Sequence, residues 1–286
     1  MNLIYIIGCG LLLALGSSFN SLIINDIPVI YLILGITFLI HWLIFIPAYM
    51  LRTEKFFDIT GTITFLSILI FSIYIKSFKL NLPIRETDYI LCMLISIWAI
   101  RLGLFLLFRI LKEGEDKRFR IYKKSFYSFL IPWSLSALWV FITSLTATTS
   151  ILSNSINVNH HFTLIGTIIW IIGFVLEVIA DIQKSYFKSK SKNDGKFITT
   201  GLWSFSRHPN YLGEIMLWIG IAIISIPNLN GLQFISLISP IFVYLLLTKI
   251  SGINLLEQKS NKQWGNLDEY KNYKRNTPIL FPFLKK

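Results

Sequence analysis

Five polar side chains stand together where an apolar stretch of the chain begins. They occur within eight residues: Arg207, His208, Asn210, Tyr211 and Glu214. Polar groups at the edge of a membrane segment are costly and usually serve a function. The Arg207 guanidinium and the Asn210 amide suit phosphate or carboxylate, and a helix beginning at Pro209 would direct free N–H groups towards the same anion. The pattern predicts an anion site; the alternative is an interfacial anchor in which arginine and tyrosine extend towards the membrane surface.

Four charged residues follow a helical repeat in the preceding apolar stretch. They are spaced by four, three and four positions: Glu177, Asp181, Lys184 and Lys188. This spacing predicts one helix face, with the acids inside the membrane and the bases at its exit. With Arg207, the two lysines would form a group of three cations suited to a pyrophosphate or a ribose phosphate. Simple pairing of neighbouring charges along the helix is the alternative.

Further ionisable residues interrupt other apolar stretches. Arg101 and Arg109 lie eight positions apart, on one face of a predicted helix. Five ionisable residues are expected at the same membrane face: Asp58, Arg109, Asp181, Glu214 and Lys249. Charges at one depth can surround a shared polar cavity, whereas the alternative is a set of structural ion pairs that hold the helices together.

The composition predicts the elements that must position these residues. The chain has 286 residues, of which 54% are hydrophobic and only 15% charged, against about 25% charged in soluble proteins. Eight stretches are apolar and long enough to be considered as membrane spans: Leu3–Ile24, Val29–Met50, Phe57–Ile75, Asp88–Leu111, Ser128–Thr149, Phe162–Ile182, Tyr211–Ile226 and Leu232–Thr248. We therefore predict an all-α polytopic membrane helix bundle with about seven or eight transmembrane helices, forming a single integral-membrane domain over residues 1–286.

The distribution of charge predicts the orientation of the bundle. Lysine and arginine concentrate in the segments Lys112–Lys124 and Lys184–Arg207 and in the tail from Lys249, whereas the segments between them carry few. Cytoplasmic segments are enriched in these residues, so both termini and the anion site are predicted on the cytoplasmic face. Three cations break the alternation: Lys76, Lys79 and Arg85. The net charge of +12 is therefore assigned to topology, and no nucleic-acid partner is expected.

Cysteine and histidine usage gives no sign of a disulfide framework or a metal site. Cys9 and Cys92 both fall within apolar stretches, and the four histidines lack the spacing of metal ligands. The tail carries aromatic residues between basic ones, including Trp264, Tyr270 and Tyr273. Such a pattern suits a helix on the membrane surface or a pocket for a planar ring, and the sequence leaves both open.

The segment Gly201–Glu214 resembles the C-terminal signature of the steroid 5α-reductase superfamily, and especially its membrane branch known as a domain of unknown function. The resemblance covers residues 58–282, with the signature at 177–282. Further matching positions follow in the same order: Asp58, Arg101-Leu102, Glu115-Asp116, Arg118, Glu177, Asp181, Gln183-Lys184, Phe187, Gly252, Glu257, Trp264-Gly265, Tyr270, Tyr273 and Pro278.

The resemblance implies a cofactor and a reaction. In the related sterol reductases, the corresponding bases bind the phosphates of NADPH. The resemblance thus implies a cofactor-binding set here: Asp181, Lys184, Lys188, Arg207, Asn210 and Glu257. Lys188 stands where the relatives have arginine. A lysine keeps the positive charge but cannot bind a phosphate through two parallel hydrogen bonds as arginine does. The implied reaction is reduction of a C=C bond in a lipid, steroid-like or isoprenoid substrate, with Tyr211 or Glu214 as the acid and Asp58 and Asp181 as further candidates.

Two other functions remain open at this stage. Isoprenylcysteine carboxyl methyltransferases share the Arg-His-Pro-x-Tyr-x-Gly pattern, and the resemblance to them implies that Arg207-His208-Pro209 and Glu257 hold S-adenosylmethionine. A non-enzymatic membrane scaffold is the third possibility, and it should bind neither cofactor. The expected location is the cytoplasmic membrane of a bacterium or the endoplasmic reticulum of a eukaryote; the sequence gives no oligomeric state.

Overall fold

The computed structural model describes residues 2–155, 157 and 159–282. Helices dominate this part of the chain. The α-helices among the described residues are α1 Leu3–Ser17, α2 Val29–Met50, α3 Phe57–Tyr74, α4 Glu86–Glu113, α5 Phe126–Ile151, α6 His160–Ser189, α7 Pro209–Ser225, α8 Ile238–Leu245, α9 Ile253–Trp264 and α10 Asp268–Asn276. Within this part of the chain, seven helical segments are long and apolar enough to cross a membrane, and α1 is a shorter apolar helix. The predicted all-α polytopic membrane bundle is confirmed.

The first predicted span, Leu3–Ile24, is too long. Helix α1 ends at Ser17, and a short antiparallel pair follows, β1 Ile23–Ile24 with β2 Ile27–Pro28. The turn between these strands places Asn25 and Asp26 at φ 46° and 64°, a region that asparagine and aspartate tolerate better than other side chains. The prediction followed hydrophobicity alone and so continued the helix beyond Ser17. It did not account for Asn25 and Asp26, whose side chains favour a turn through local hydrogen bonds.

The last predicted span, Leu232–Thr248, is not a regular α-helix throughout. It begins with a 3₁₀ segment over Gly231–Leu237, continues as α8 and ends in a π-helical segment over Leu246–Ile250. Pro240 lies in the first turn of α8, where its missing N–H removes no helical hydrogen bond. The continuous candidate span reaches from Gly231 to Trp264.

The chain forms two compact units. The first comprises Met1–Thr163 with Ile224–Ser239, and the second comprises Leu164–Ile223 with Pro240–Lys286. The single domain predicted for residues 1–286 stays a prediction, and each unit is described by itself below.

Helix α5 is the centre of the first unit. Its C-terminal half is buried almost completely, and it packs against α1, α2 and α3. At its N-terminal half, Phe45, Phe129 and Trp133 form an aromatic core with edge-to-face ring contacts of 5.7–6.2 Å. Such aromatic pairs stabilise beyond the area they bury. The first unit is therefore organised around one polar-rich but buried helix.

Buried charges in the first unit account for two of the three cations that break the charge alternation. Asp88 is fully buried, and its carboxylate accepts from Lys76 Nζ at 2.5 Å and from Arg85 Nη2 at 2.7 Å. Arg85 also donates to the Ser150 carbonyl at 2.5 Å and Lys76 to the Ile151 carbonyl at 3.0 Å. The last carbonyls of a helix carry partial negative charge, so the end of α5 stabilises the excess cation.

Glu54 is a buried acid of the first unit that the sequence analysis missed. Its side chain is 4% exposed, its Oε1 accepts from the Asp116 amide at 2.5 Å, and its Oε2 pairs with Lys123. Asp116 in turn binds Arg118, and this pair holds the pKa of the Asp116 carboxyl below its usual range even though partial burial opposes the shift. The segment after α4 is therefore fixed by Glu54, which no sequence spacing relates to it.

Candidate functional site

The four charged residues predicted on one helical face all lie on α6. This helix has 30 residues and is about 45 Å long, more than the roughly 30 Å of hydrocarbon in a bilayer. Glu177 and Asp181 are buried at 2% and 7% exposure, whereas Lys188 is exposed. The two acids and the two bases therefore follow one another along one continuous helix of the second unit, and their depth in a membrane stays a prediction.

The turn that leads from α6 back to α7 is fixed by side chains of α6. The Gln183 Oε1 accepts from the Leu202 amide at 3.0 Å, and Trp203 Nε1 donates to the Ala180 carbonyl at 3.2 Å. Gly201 has φ +64°, and a Cβ there would lie 2.6 Å from the Gln183 side chain. Glycine is required for both reasons.

Lys184 takes part in the same arrangement. Its Nζ lies over the Trp203 ring, 4.6 Å from the centroid, in a cation–π contact. Trp203 itself is only 4% exposed. The sequence predicts no role for Trp203, although this residue lies inside the signature Gly201–Glu214. Its position shows that the signature both builds the turn and sets the position of one predicted cofactor-binding lysine.

Arg207, His208 and Glu257 form one hydrogen-bonded group. Arg207 Nη1 donates to Glu257 Oε2 at 2.5 Å, and His208 Nε2 lies 3.1 Å from Glu257 Oε1. Lys274 Nζ is 3.7 Å from the same carboxylate. Burial holds the pKa of His208 below its ordinary value, against the opposing effect of Glu257. The imidazole is therefore neutral at pH 7, and Nε2 carries the hydrogen that the carboxylate accepts.

One donor of Arg207 has no partner among the described residues. Arg207 is 9% exposed, and its buried Nε makes no hydrogen bond there. A buried charged donor without an acceptor is costly, so a ligand that supplies an acceptor would be stabilised at this atom. Arg207 precedes α7, whose first turn presents backbone N–H groups and the positive end of the helix dipole. The local chemistry favours an anionic or strongly polar ligand.

The predicted cofactor residues Asn210 and Asp181 contact each other. Asn210 Nδ2 donates to Asp181 Oδ1 at 3.2 Å, which joins the start of α7 to α6. The backbones of α6 and α7 also approach each other closely at Gly213. A Cβ there would lie only 2.5 Å from the Gly173 carbonyl oxygen and 2.6 Å from the Glu177 amide nitrogen. Small residues permit such approach between membrane helices. This glycine contact was missed from the sequence.

The two candidate acids lie on the first two turns of α7, which begins directly after Arg207 and His208. The Tyr211 ring stacks on the His208 ring, with centroids 5.7 Å apart and planes inclined by 15°. Glu214 follows three residues later, and both side chains are half-buried. This geometry brings Tyr211 next to the histidine–carboxylate pair. Their role as proton donors stays a prediction.

The C-terminal residues 273–278 form hydrogen bonds with the signature segment Gly201–Glu214. Tyr273 donates to the Trp203 carbonyl at 2.6 Å, and the Arg207 amide donates to the Pro278 carbonyl at 3.0 Å. Burial raises the pKa of the Tyr273 hydroxyl, which stays protonated and keeps donating. The tail residues Glu257, Lys274 and Tyr273 therefore belong to the same site as Arg207.

The aromatic residues of the tail pack against one phenylalanine. Phe197 contacts Trp264, Tyr270 and Tyr273 with ring centroids 5.0–5.7 Å apart, and Trp264 Nε1 donates to the Gly195 carbonyl at 2.6 Å. A cleft of about 510 Å³ lies beside them. The sequence left two roles open for these aromatic residues, a helix on the membrane surface or a pocket for a planar ring. The rings pack on Phe197 and border a cleft, which favours the pocket.

Within the described ranges, no three histidine, cysteine or acidic residues are grouped so as to hold a metal ion. Of the predicted cofactor set, the structure joins Asp181 to Asn210 and Arg207 to Glu257. Lys184 lies over Trp203, and Lys188 lies exposed one helical turn beyond it.

Comparisons with known proteins find one matching family model and several distant relatives. The family model described as "Protein of unknown function (DUF1295)" matches residues 44–277. The chain is 26% identical over 127 residues to 3-oxo-5-alpha-steroid 4-dehydrogenase 1 of Rattus norvegicus, covering 44% of each chain. It is 34% identical over 121 residues to steroid 5-alpha-reductase DET2 of Solanum lycopersicum, covering 42% of this chain and 41% of the relative.

A methyltransferase is also among the relatives. The chain is 37% identical over 68 residues to a probable O-methyltransferase, ustE, of Ustilaginoidea virens, covering 24% of each chain. The chain spans less than half the length of these curated relatives, and no solved structure is significantly similar to it. The family model, by contrast, covers most of the chain, so the protein belongs to the DUF1295 family, within the steroid 5α-reductase superfamily.

Proposed function

We propose that the protein is a membrane-embedded, NADPH-dependent reductase of a C=C bond in a lipid-like substrate. The observation that carries this proposal is the buried Arg207, whose Nε has no acceptor among the described residues and which precedes the first turn of α7. The relatives that match over 121–127 residues are, by name, a 3-oxo-5-alpha-steroid 4-dehydrogenase of rat and a steroid 5-alpha-reductase of tomato. Both observations support a phosphate-bearing redox cofactor.

The residues around Arg207 fit the polar parts of such a cofactor. Lys184 and Lys188 supply positive charge on the exit side of α6, and Arg207 supplies an unpartnered donor. Asn210 and Asp181 are positioned to orient amide or ribose groups through hydrogen bonds. Because Glu257 already offsets the charge of Arg207, most of the attraction for phosphate is assigned to the two lysines.

The cofactor, when bound, supplies the hydride; the chain must supply orientation, exclusion of water and a proton. Tyr211 and Glu214 are the proposed proton donors, since both lie on α7 close to the proposed cofactor residues. Neutral His208 donates a hydrogen bond to Glu257, and its ring stacks on the Tyr211 ring. The apolar spans give a lipid access to the site from the bilayer.

A second function is favoured by one specific arrangement. Arg207, His208 and Glu257 form the group that the methyltransferase resemblance implies for S-adenosylmethionine, and a probable O-methyltransferase matches at 37% identity. Both cofactors would use Arg207 and Glu257, so these residues do not separate the two functions. Lys188 does, because S-adenosylmethionine carries no phosphate for it to bind.

A binding experiment with two lysine variants tests the proposal. The purified protein in detergent should bind NADPH more tightly than S-adenosylmethionine, measured by equilibrium titration. Lys188→Ala should weaken NADPH binding roughly fivefold, as expected for loss of one exposed charge contact, and more at low salt. Lys192→Ala, an exposed lysine beyond the end of α6, is the matched control and should change little. Tight binding of S-adenosylmethionine without NADPH binding would establish the methyltransferase instead.

A further inference from the structure

Five of the nine buried polar atoms of the first unit that lack partners among the described residues lie in two short segments. They lie on the last turn of α5 and on the segment 228–236, and each belongs to a residue that is 0% exposed. None has a hydrogen-bond partner among the described residues: Thr149 Oγ1, Ser150 Oγ, Asn228 Nδ2, Gln233 Nε2 and Ser236 Oγ. We call these five residues the amide–hydroxyl cluster. Buried polar groups in native proteins almost always bind something, so the cluster requires an explanation.

Hydrogen bonds to shared partners show that Asn228 and Ser150 are neighbours. Arg85 Nη1 donates to Asn228 Oδ1 at 2.7 Å, and Arg85 Nη2 donates to the Ser150 carbonyl at 2.5 Å. One guanidinium therefore binds both segments. The cluster lies next to the buried ion group that Arg85 forms with Asp88.

Two further contacts join the rest of the cluster to α5 and to the residues directly after it. Ser153 Oγ donates to Gln233 Oε1 at 3.3 Å, and Thr146 Oγ1 donates to the Ser236 carbonyl at 2.5 Å. The unpartnered groups thus lie along one contact between the end of α5 and the segment 228–236. The other four unpartnered atoms of the first unit lie outside these two segments and do not belong to the cluster: Ser17 Oγ, Thr87 Oγ1, Trp133 Nε1 and Thr143 Oγ1.

The orientation of both amides is fixed by donors. Asn228 Oδ1 accepts from Arg85, and Gln233 Oε1 accepts from the Asn230 amide at 3.0 Å and from Ser153. Exchanging the amide nitrogen and oxygen would place donors against donors, so the NH₂ groups must point into the cluster. Each unmet buried donor or acceptor costs about 1–3 kcal/mol.

The chemistry of the cluster selects its ligand. The amide NH₂ groups repel a cation, and they need acceptors. The neighbouring ion group has one positive charge in excess, but Lys76 and Arg85 already donate to the Asp88 carboxylate and to the carbonyls at the end of α5, so an anion would find no cation that is free to pair with it. A neutral ligand that both donates and accepts satisfies amides and hydroxyls together. We propose that the amide–hydroxyl cluster binds ordered water molecules inside the membrane bundle.

The bound water has a physical consequence for the ion group beside it. Asp88, Lys76 and Arg85 are buried with one positive charge in excess, and ions removed from bulk water lose solvation. Water bound at Asn228, which itself contacts Arg85, would return part of that solvation. The cluster and the ion group are therefore one polar assembly at this end of the first unit.

The proposal is tested by adjacent threonines of α5. Thr149→Val replaces an unpartnered hydroxyl by a methyl group. Thr148→Val is the matched control, because Thr148 is equally buried and its hydroxyl bonds within its own helix, to the Ser144 carbonyl at 3.1 Å. If Thr149 binds water, Thr149→Val should melt on the order of 2 °C below Thr148→Val. If Thr149 Oγ1 has no partner at all, Thr149→Val should melt at or above the control, which overturns the proposal.

A direct measurement covers the case in which a variant fails to fold. An experimental structure of the unmodified protein at a resolution that shows water should have density within hydrogen-bond distance of Asn228 Nδ2 and Gln233 Nε2. A dry cluster would contradict the proposal. So would an anomalous bromide peak at these atoms after a bromide soak, because it would identify an anion site.

Discussion

At the scale of single residues, the pairing of Arg207 with Glu257 changes how the signature should be interpreted. The sequence presents Arg207 as a cation for a ligand, but a carboxylate 50 positions later already binds it at 2.5 Å. Removing Arg207 would therefore disturb Glu257 and His208 as well as a ligand. Lys188, which is exposed and beyond these contacts, is the better single position at which to separate binding from folding.

The proposed acids can be separated by conservative variants. Glu214→Gln and Tyr211→Phe keep the size of each side chain and remove its acidic proton. If one of them donates the proton, NADPH binding should persist while saturated turnover falls by roughly 10²–10⁴-fold. If Glu214 only orients the cofactor, Glu214→Gln should weaken binding and leave saturated turnover nearly intact. Near-normal turnover in both variants would show that neither residue is the proton donor, and Asp58 and Asp181 would be the next candidates.

His208 predicts a dependence of stability on pH. Burial lowers its pKa in the folded protein, whereas the unfolded chain binds a proton near the ordinary value of about 6.5. Below that pH the unfolded state binds more protons, so this residue's contribution to stability declines as the pH falls. The melting temperature should drop between pH 7.5 and pH 5.5, and it should drop less in His208→Gln. Equal drops in both proteins would show that other groups cause the change.

The residues of the site were predictable from the sequence only where a local repeat relates them. The stripe on α6 follows from spacings of four, three and four, and Asn210 lies where the start of a helix was predicted. The partners of these residues come from distant parts of the chain, such as Glu257 for Arg207 and Tyr273 for Trp203. No periodicity relates positions that meet only after folding.

At the scale of elements, glycines set the distance between α6 and α7. Gly213→Ala would place a methyl group 2.5 Å from the Gly173 carbonyl, so the helices must separate or α7 must shift. We expect a loss of stability of about 1–3 kcal/mol, the usual cost of overpacking a close contact. The measurement is the melting temperature together with NADPH affinity, since Asn210 lies one turn before Gly213 on the same helix.

Gly35→Ala is the control for this contact. Gly35 lies inside α2, and a Cβ there would meet nothing within 4 Å. Alanine favours a helix over glycine, so Gly35→Ala should leave the melting temperature unchanged or raise it. A similar loss in both variants would mean that general helix effects, and not the contact with α6, explain the result.

Elements were predictable where hydrophobic length decided them. The spans from Val29 to Ile182 agree with helices of the structure within a few residues at most ends. The errors came at Leu3–Ile24 and Leu232–Thr248, where apolar residues continue but asparagine turns, 3₁₀ and π segments replace the regular helix. Hydrophobicity reports burial in lipid, and it does not report which helical hydrogen-bond pattern the backbone adopts.

At the scale of the whole molecule, the charge pattern predicts one orientation in the membrane. Single cysteines introduced at Ser125, Ser191 and Ser260 should all react with an impermeant reagent from the cytoplasmic side, because each lies in a lysine-rich segment. A cysteine at Asn157 should react only from the opposite side. If Ser191 and Ser260 were labelled from different sides, the predicted topology would be wrong, and the cytoplasmic site with it.

Two cations that break the charge pattern are buried in ion pairs, and a topology prediction from charge counts should leave such residues out. Lys76 and Arg85 lie outside the predicted cytoplasmic segments, yet both are buried against Asp88. They are packing residues of the first unit, and only Lys79 of the three is left without such an explanation. The class of protein follows from the apolar helices, and the orientation that the basic segments indicate stays a prediction.

The length of α6 has a consequence for measurements in membranes. Lys184 and Lys188 lie on its last two turns, at the level where the phosphates of lipid headgroups lie if the apolar part of α6 spans the hydrocarbon core. Anionic lipids accumulate cations of this kind at the surface, at about 1 kcal/mol for each basic residue. Lipid phosphates therefore compete with any dissolved phosphate ligand for the same two side chains. The apparent affinity of the site becomes a property of the bilayer as well as of the protein, and vesicles with different anionic lipid content would set different occupancies without any change in sequence.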